Sequence, residues 1–266
     1  MPKPHVLILR APGTNCDVET AHAFERAGGA AERVFVQRLM EEPGLLERFQ
    51  ILCVPGGFSY GDDLAAGRIL AEKMRRRLFE PLQDFIAADK LALGVCNGFQ
   101  ALIKSGLLFP DDEAKGPAAT LTWNTNGRFE CRWVNLEVDG DRCVFLRGMR
   151  SLQLPIAHAE GRFLARDKAA LDWLDVEGLL VLRYAASGNV AEETLEDGET
   201  LAFPLNPNGS PRNVAGACDV TGRVLGLMPH PERYLEATHH PRWTRGEAHD
   251  PGDGLRVFRN AVEYFA

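Results

Sequence analysis

The chain has 266 residues, 45% of them hydrophobic and 25% charged, and a formal net charge of -7. That composition supports one sizeable folded core, and the acidic balance excludes a general nucleic-acid surface, which needs clustered cations against phosphates. No apolar run approaches the ~20 residues that span a bilayer, and none of the six cysteines (16, 53, 96, 131, 143, 218) forms a C-x-x-C pair, so no metal, no compact disulfide framework and no membrane association are expected, and reduced thiols in a cytoplasmic protein are the default.

In chain order, His5–Ala11 reads as a strand and Val18–Ala27 as an amphipathic helix ended by Gly28-Gly29. Glu32–Val36 is a second strand, Leu45–Phe49 a short helix, and Ile51–Pro55 a third strand closed by Gly56-Gly57. A long helical stretch from Leu64 to Ala88, broken at Pro81, contains the basic run Arg75-Arg76-Arg77, read as a solvated or partner-facing face. Leu91–Val95 is almost wholly apolar, as a strand covered on both faces must be. Strand–helix alternation of this kind predicts an α/β fold: a mainly parallel open sheet with helices on both faces.

From Leu121 the texture changes. Phe129–Val138, Cys143–Leu146, Gln153–Ala157 and Leu179–Tyr184 read as strands that add antiparallel members to the sheet. Arg223–Met228 returns to the buried-strand pattern, and Gly254–Phe265 closes the chain as a helix with Asp253 as its expected N-cap. Glu192–Asn213 and Thr238–Asp253 read as exposed excursions, and no linker divides residues 1–266 into two domains.

The chemistry concentrates in Gly94-Val95-Cys96-Asn97-Gly98-Phe99-Gln100, where an apolar strand enters and a helical pattern leaves. This is the G-x-nucleophile-x-G form of a strand–turn–helix elbow, with glycines expected to permit a sharp turn. The turn places Cys96 at a helix N-terminus, where the positive dipole end favours thiolate. It also frees the Asn97 N–H to face an oxyanion. Gln100, four residues on, shares a helix face with Cys96 and is expected to contact the same substrate. Gly57, at the end of another strand of the sheet, is a second candidate oxyanion donor. Cys53, Cys131, Cys143 and Cys218 read as buried and inert, while Cys16 follows the first strand with no evident activating base.

A thiolate mechanism needs a histidine and an acid to orient it. Two pairs offer this: His158-Ala159-Glu160 and His230-Pro231-Glu232, each placing i and i+2 on one side of extended chain. Pattern does not separate them, although His230 follows a buried strand whose carboxyl end is where ligands gather in open α/β sheets. His239, His240 and His249 have no metal-ligand spacing and read as loop histidines.

The elbow motif resembles that of class I (triad-type) glutamine amidotransferases, and its Asn97 and Phe99 are similar to the phosphoribosylformylglycinamidine synthase branch. Pro12-Gly13-Thr14-Asn15-Cys16-Asp17, Pro55-Gly56-Gly57-Phe58-Ser59-Tyr60-Gly61-Asp62 and Gly226-Leu227-Met228-Pro229-His230-Pro231-Glu232-Arg233 match the same branch in the same order. Ala11, where an aromatic is expected, and the two excursions depart from it. The resemblance implies a flavodoxin-like fold, a Cys96–His230–Glu232 triad, oxyanion donors at Gly57 and Asn97, and glutamine contacts from Gly56, Phe58 and Gln100. It further implies L-glutamine as substrate and, as partner, the synthetase subunit of phosphoribosylformylglycinamidine synthase with a small accessory subunit. ATP and Mg²⁺ are expected on that partner and no cofactor on this chain, which has no G-K-[ST] phosphate loop. Two rivals are an elbow-cysteine protease or deglycase, excluded by ammonia release from labelled glutamine, and a non-catalytic regulatory subunit, excluded by labelling of Cys96 with a glutamine-analogue alkylator.

Overall fold

The structure is a computed structural model that describes residues 3–111, 114–186 and 200–266. Its centre is a nine-stranded sheet in the order β2-β1-β3-β4-β11-β10-β9-β6-β7. The parallel part consists of β1 (His5–Arg10), β2 (Ala30–Phe35), β3 (Ile51–Val54), β4 (Leu91–Val95) and β11 (Val224–Leu227). The antiparallel flank consists of β10 (Val214–Cys218), β9 (Leu182–Ala185), β6 (Glu130–Val138) and β7 (Ser151–His158). A separate two-stranded antiparallel sheet pairs β5 (Ala119–Thr122) with β8 (Arg162–Ala165).

Burial explains which strands read clearly. Every residue of β3, β4 and β11 is buried, so helices cover both faces and the sequence is a continuous apolar run. Strand β7 alternates, with Leu152, Leu154, Ile156 and His158 turned inward. Cys131, expected buried, lies at an outward position of β6 and is exposed. The helices α1 (Asp17–Ala27) and α7 (Gly254–Glu263) pack together, with Phe24 and Phe258 edge to face at 4.9 Å. Burying each such ring contributes about 1.5–3 kcal/mol. The helix α5 (Asn97–Ser105) packs instead on α3 (Arg68–Arg77).

Several expectations are corrected. The helical stretch over residues 64–88 is two helices, α3 and α4 (Phe79–Ala87), divided at Leu78 rather than at Pro81. Pro81 lies in the first turn of α4, where its missing N–H has no intrahelical acceptor to lose. Residues Val144–Leu146 form a 3-10 turn, not a strand, and Pro43–Arg48 is likewise 3-10. Helices α2 (Val36–Glu41) and α6 (Lys168–Val176) and strands β5, β8 and β10 were not foreseen. Asp253 does not cap α7: its carboxylate accepts the Gln153 N–H at 2.8 Å and pairs with His249 Nδ1 at 2.6 Å, tying the C-terminal loop to β7.

The excursions are also more structured than their composition implies. Residues 192–199 lie outside the described residues, but Asn206, Asn208 and Ser210 are buried. Asn208 Nδ2 donates to the Gly161 carbonyl at 2.7 Å and to Tyr184 Oη at 3.0 Å. In the second excursion His240 is buried against Trp133, with ring centroids 4.7 Å apart, and bonds Gln153 at 2.7 Å. The basic run on α3 is solvated, Arg75 pairing with Asp111 at 3.1 Å and Arg76 with Glu72. Among the described residues no helix is long and apolar enough to cross a membrane.

Candidate functional site

Three neighbouring parallel strands end together. Val54 is in register with Gly94, and Gly94 with Gly226. Beyond those ends β3 delivers Gly56-Gly57, β4 delivers Cys96, and β11 delivers His230. The Cys96 N–H bonds the Leu227 carbonyl at 2.8 Å, so the sheet ladder itself sets the nucleophile beside the strand that leads to His230.

The elbow is strained at Cys96, whose φ of 51° and ψ of -104° lie where a side chain is rarely found. Such a conformation costs on the order of 1–3 kcal/mol and persists only where packing enforces it. The two glycines supply that packing rather than the turn, since neither has a positive φ. A Cβ on Gly98 would fall 1.8 Å from the Val54 carbonyl oxygen, and one on Gly94 would fall 2.6 Å from Leu102 Cδ1. They let α5 sit directly against β3 and β4, which leaves Cys96 as the N-cap of α5 at its positive dipole end. Its thiol faces the Ala157 carbonyl of β7 at 3.6 Å.

His230 and Glu232 are both fully buried, with Nδ1 and Oε1 2.6 Å apart. The backbone fixes the histidine by donating its N–H to the Pro155 carbonyl at 2.8 Å, and Pro231 begins a 3-10 turn that folds Glu232 back onto the ring. Burial pushes the His230 pKa down, but the Glu232 carboxylate and the Cys96 sulfur outweigh it and hold the ring well above its ordinary range. With Nδ1 engaged, Nε2 has no partner in hydrogen-bonding geometry among the described residues. A buried, oriented imidazole with one unpartnered nitrogen is equipped to exchange a proton with a reacting group.

Gly56 is a glycine because His230 and Cys16 occupy its side-chain space: a Cβ there would meet His230 Cε1 at 2.8 Å and Cys16 Sγ at 3.1 Å. Gly57 has a φ of 134° and lies against Asn15. The bridge between Thr14 and Gly57 runs through the Phe58 N–H to the Gly13 carbonyl (3.0 Å), with the Cys16 N–H on the Gly56 carbonyl (3.3 Å). The Phe58 side chain is exposed.

Asn97 and Gln100 are clasps. Asn97 Oδ1 accepts the Ser59 N–H at 3.1 Å, and Asn97 Nδ2 donates to Asp62 (2.9 Å) and to Gln100 Oε1 (3.0 Å). Gln100 Nε2 donates to the Glu160 carbonyl at 2.6 Å. Gln100 was expected to face substrate, but both ends of its amide are used within the protein, so it braces the wall. The turn over residues 59–63, with Tyr60, Gly61 and Asp62 all at positive φ, is held by this network and by the Gly67 N–H on Asp62.

The second histidine pair is differently placed. His158 Nδ1 lies 3.2 Å from Asn124 Oδ1, and burial, with the charge of nearby His230, lowers its pKa to about 3. Glu160 accepts the Ala66 N–H at 3.1 Å. His158 and Glu160 therefore shape the site without forming a relay. Cys16, expected after the first strand near the site, is buried beside His230, and Arg233 Nη2 lies 3.2 Å from its sulfur. Burial raises its pKa.

Comparison with known proteins bears on what this geometry does. The CobB/CobQ-like glutamine amidotransferase domain family matches residues 3–265. The phosphoribosylformylglycinamidine synthase subunit PurQ of Dehalococcoides mccartyi is 44% identical, covering 99% of this chain and 98% of that protein. Its counterpart from Archaeoglobus fulgidus is 35% identical, covering 97% and 96%. Among solved structures, PurLQS from Thermotoga maritima contains a chain with a TM-score of 0.73 and 29% identity, covering 100% of both chains. A glutamine amidotransferase from Thermotoga maritima, 15% identical with a TM-score of 0.54 and covering 99% and 97%, shares the fold.

Proposed function

The chain belongs to the CobB/CobQ-like glutamine amidotransferase family, and from that premise we propose that it is the glutaminase subunit of a phosphoribosylformylglycinamidine synthase. The observation that carries the chemistry is the delivery of Cys96, the His230–Glu232 pair and Gly56-Gly57 by three adjacent parallel strand ends.

In the proposed cycle Cys96 Sγ attacks the side-chain amide carbon of L-glutamine, and the oxyanion takes hydrogen bonds from the Gly57 and Asn97 N–H groups. His230 Nε2 gives a proton to the departing nitrogen, the C–N bond breaks, and ammonia leaves a thioester on Cys96. Water, giving its proton to the same nitrogen, adds to the thioester carbon and releases glutamate. The sum is glutamine plus water to glutamate plus ammonia. Glu232 holds the ring in the tautomer with Nδ1–H and stabilises its charged form. Gly56 and Phe58 border the glutamine, with Gln100 bracing the wall behind them.

The ammonia serves a synthetase subunit that uses ATP and Mg²⁺ to convert formylglycinamide ribonucleotide to its amidine, with a small accessory subunit completing the assembly. No cofactor is assigned to this chain, which is placed in the cytoplasm as one amidotransferase unit. Cys96→Ser should lower glutamine-dependent amidine formation by the assembled synthase by about 10³-fold or more, while synthesis from free ammonia stays unchanged. Retained glutamine turnover, or loss of both activities together, contradicts the assignment.

A further inference from the structure

One buried side chain at the site has no part in the proposed hydrolysis. The Cys16 thiol is 1% exposed and converges on the reacting groups. A Cβ built on Gly56 would lie 2.8 Å from His230 Cε1, 3.1 Å from Cys16 Sγ and 3.5 Å from Cys96 Cβ. The Cys16 sulfur and the His230 imidazole thus face one point bordered by the Cβ of Cys96, whose own sulfur lies against the Ala157 carbonyl at 3.6 Å. The Cys16 sulfur, a ring nitrogen of His230 and a carboxylate oxygen of Glu232 all lie within 4.8 Å of one another. A tetrahedral zinc, with bonds of about 2.3 Å to sulfur and about 2.0 Å to nitrogen, holds its ligand atoms roughly 3.5 Å apart. Cys16 and His230 reach that spacing by side-chain rotation.

A second observation is independent of the thiols. His230 Nε2 belongs to a fully buried ring and has no partner in hydrogen-bonding geometry among the described residues, while Nδ1 is bonded to Glu232 at 2.6 Å. A histidine that gives one ring N–H to a carboxylate and aims the other nitrogen at a sulfur is arranged, once that nitrogen loses its proton, as metal-bound histidines are. We propose that a thiophilic divalent cation of the zinc class binds between Cys16 Sγ and His230 Nε2, takes as its third ligand the Cys96 Sγ rotated away from the Ala157 carbonyl, and switches the site off.

The donor set selects the ion. Two sulfurs and an imidazole suit zinc and its thiophilic neighbours and disfavour magnesium and calcium, which take oxygen. Binding releases the thiol protons and the Nε2 proton of the charged His230 ring to solvent, leaves the Nδ1 proton hydrogen-bonded to Glu232, and involves no change of oxidation state. Arg233, 3.2 Å from Cys16 Sγ, favours the thiolate that ligation requires, and its ion pair with Glu19 at 3.1 Å offsets its repulsion of a second cation. Inhibition follows because the ion occupies both the nucleophilic lone pair and the nitrogen that moves the proton. That consequence rests on the proposed glutaminase activity; the binding does not.

The test is a cobalt titration of the full chain freed of metal by a chelator. The wild type should develop thiolate-to-cobalt absorption that saturates at one equivalent and is bleached by zinc. Cys16→Ser and Cys16→Ala should each weaken zinc binding at least tenfold. In the assembled synthase, zinc should lower wild-type glutamine turnover at least tenfold, reversibly with chelator. Expressed against its own zinc-free rate, each Cys16 variant should need at least tenfold more zinc. Unchanged zinc sensitivity in both variants, or no thiolate–cobalt absorption in the wild type, overturns the proposal. A wild type inactive on glutamine even without metal would instead overturn the functional reading, and the cobalt titration would still decide the site.

Discussion

In His230-Pro231-Glu232 the glutamate folds back onto the imidazole at 2.6 Å, whereas in His158-Ala159-Glu160 the two side chains turn to different partners, Asn124 and the Ala66 N–H. Both triplets have the spacing that extended chain places on one side, and neither stays extended. Pro231 starts a 3-10 turn that closes the first pair, while β7 ends at His158 and the next residues bend around Asn124. Gly161 completes that bend, since a Cβ there would lie 2.2 Å from the His158 ring. Spacing supplies two pairs, and local backbone with its nearest acceptor decides which becomes a relay. The largest expected effect breaks this contrast at its stronger member: His230→Gln should lower glutamine kcat/KM by about 10³-fold or more, the range of a lost proton-transfer group. His158→Gln, measured beside it with labelled glutamine, should stay within about tenfold of wild type. Comparable losses would mean that both triplets take part.

Next in size is Glu232→Gln. The amide keeps a hydrogen-bonding group against Nδ1 but removes the charge that offsets burial and holds the His230 pKa up. Turnover should fall by about 10²-fold. The His230 ring, followed by NMR, should titrate at lower pH than in the wild type. The corresponding Glu160→Gln should leave that titration where it was, because Glu160 holds the Ala66 N–H and no ring. An unmoved His230 titration in Glu232→Gln would show that burial, not the glutamate, governs the charge.

The same contrast marks how far the sequence could be read. Strands β3, β4 and β11 were legible because burial on both faces leaves no polar position to interrupt the run. The elbow was legible because Gly94 and Gly98 flank the cysteine, although the contact that requires them, with Val54 and Leu102, is between elements and invisible in the chain. Strand β10, Val-Ala-Gly-Ala-Cys, carries little side-chain signal, and β5 and β8 are four residues each. Asn206, Asn208 and Ser210 read as loop because polar residues usually are; here Asn208 and Ser210 are buried by hydrogen bonds to Gly161, Tyr184 and Phe163, and Asn206 by bonds to Gly209, Ser210 and Asn213. The partners of Gln100 and Cys16 were not legible for a related reason. What each touches, Glu160 and Asn97 for one and His230 for the other, comes from distant strand ends. The choice between the two histidine pairs came from resemblance, since the Pro231 turn that decides it is not a periodic signal.

The smallest effect sharpens the comparison at its quieter member and is read in stability. His158 is buried with a folded-state pKa of about 3, against 6.5 when exposed. Between those values the unfolded chain binds a proton that the folded chain refuses. Its contribution is therefore fully present above pH 6.5 and is lost as pH falls toward 3, at no more than about 1.4 kcal/mol per pH unit. His158→Asn cannot titrate. It should be less stable than wild type at pH 7 by about 1–3 kcal/mol, from imperfect packing and the altered bond to Asn124, and that gap should narrow on acidification. Urea unfolding of both proteins at pH 7, 6 and 5 measures it, other carboxylates cancelling in the difference. Two imidazoles this close do not both carry charge in a buried site. A narrowing gap says that His158 stays neutral so that His230 holds the proton beside Cys96. A gap constant with pH would mean that the folded His158 accepts a proton as readily as the unfolded one, and the division of labour between the two triplets would fail.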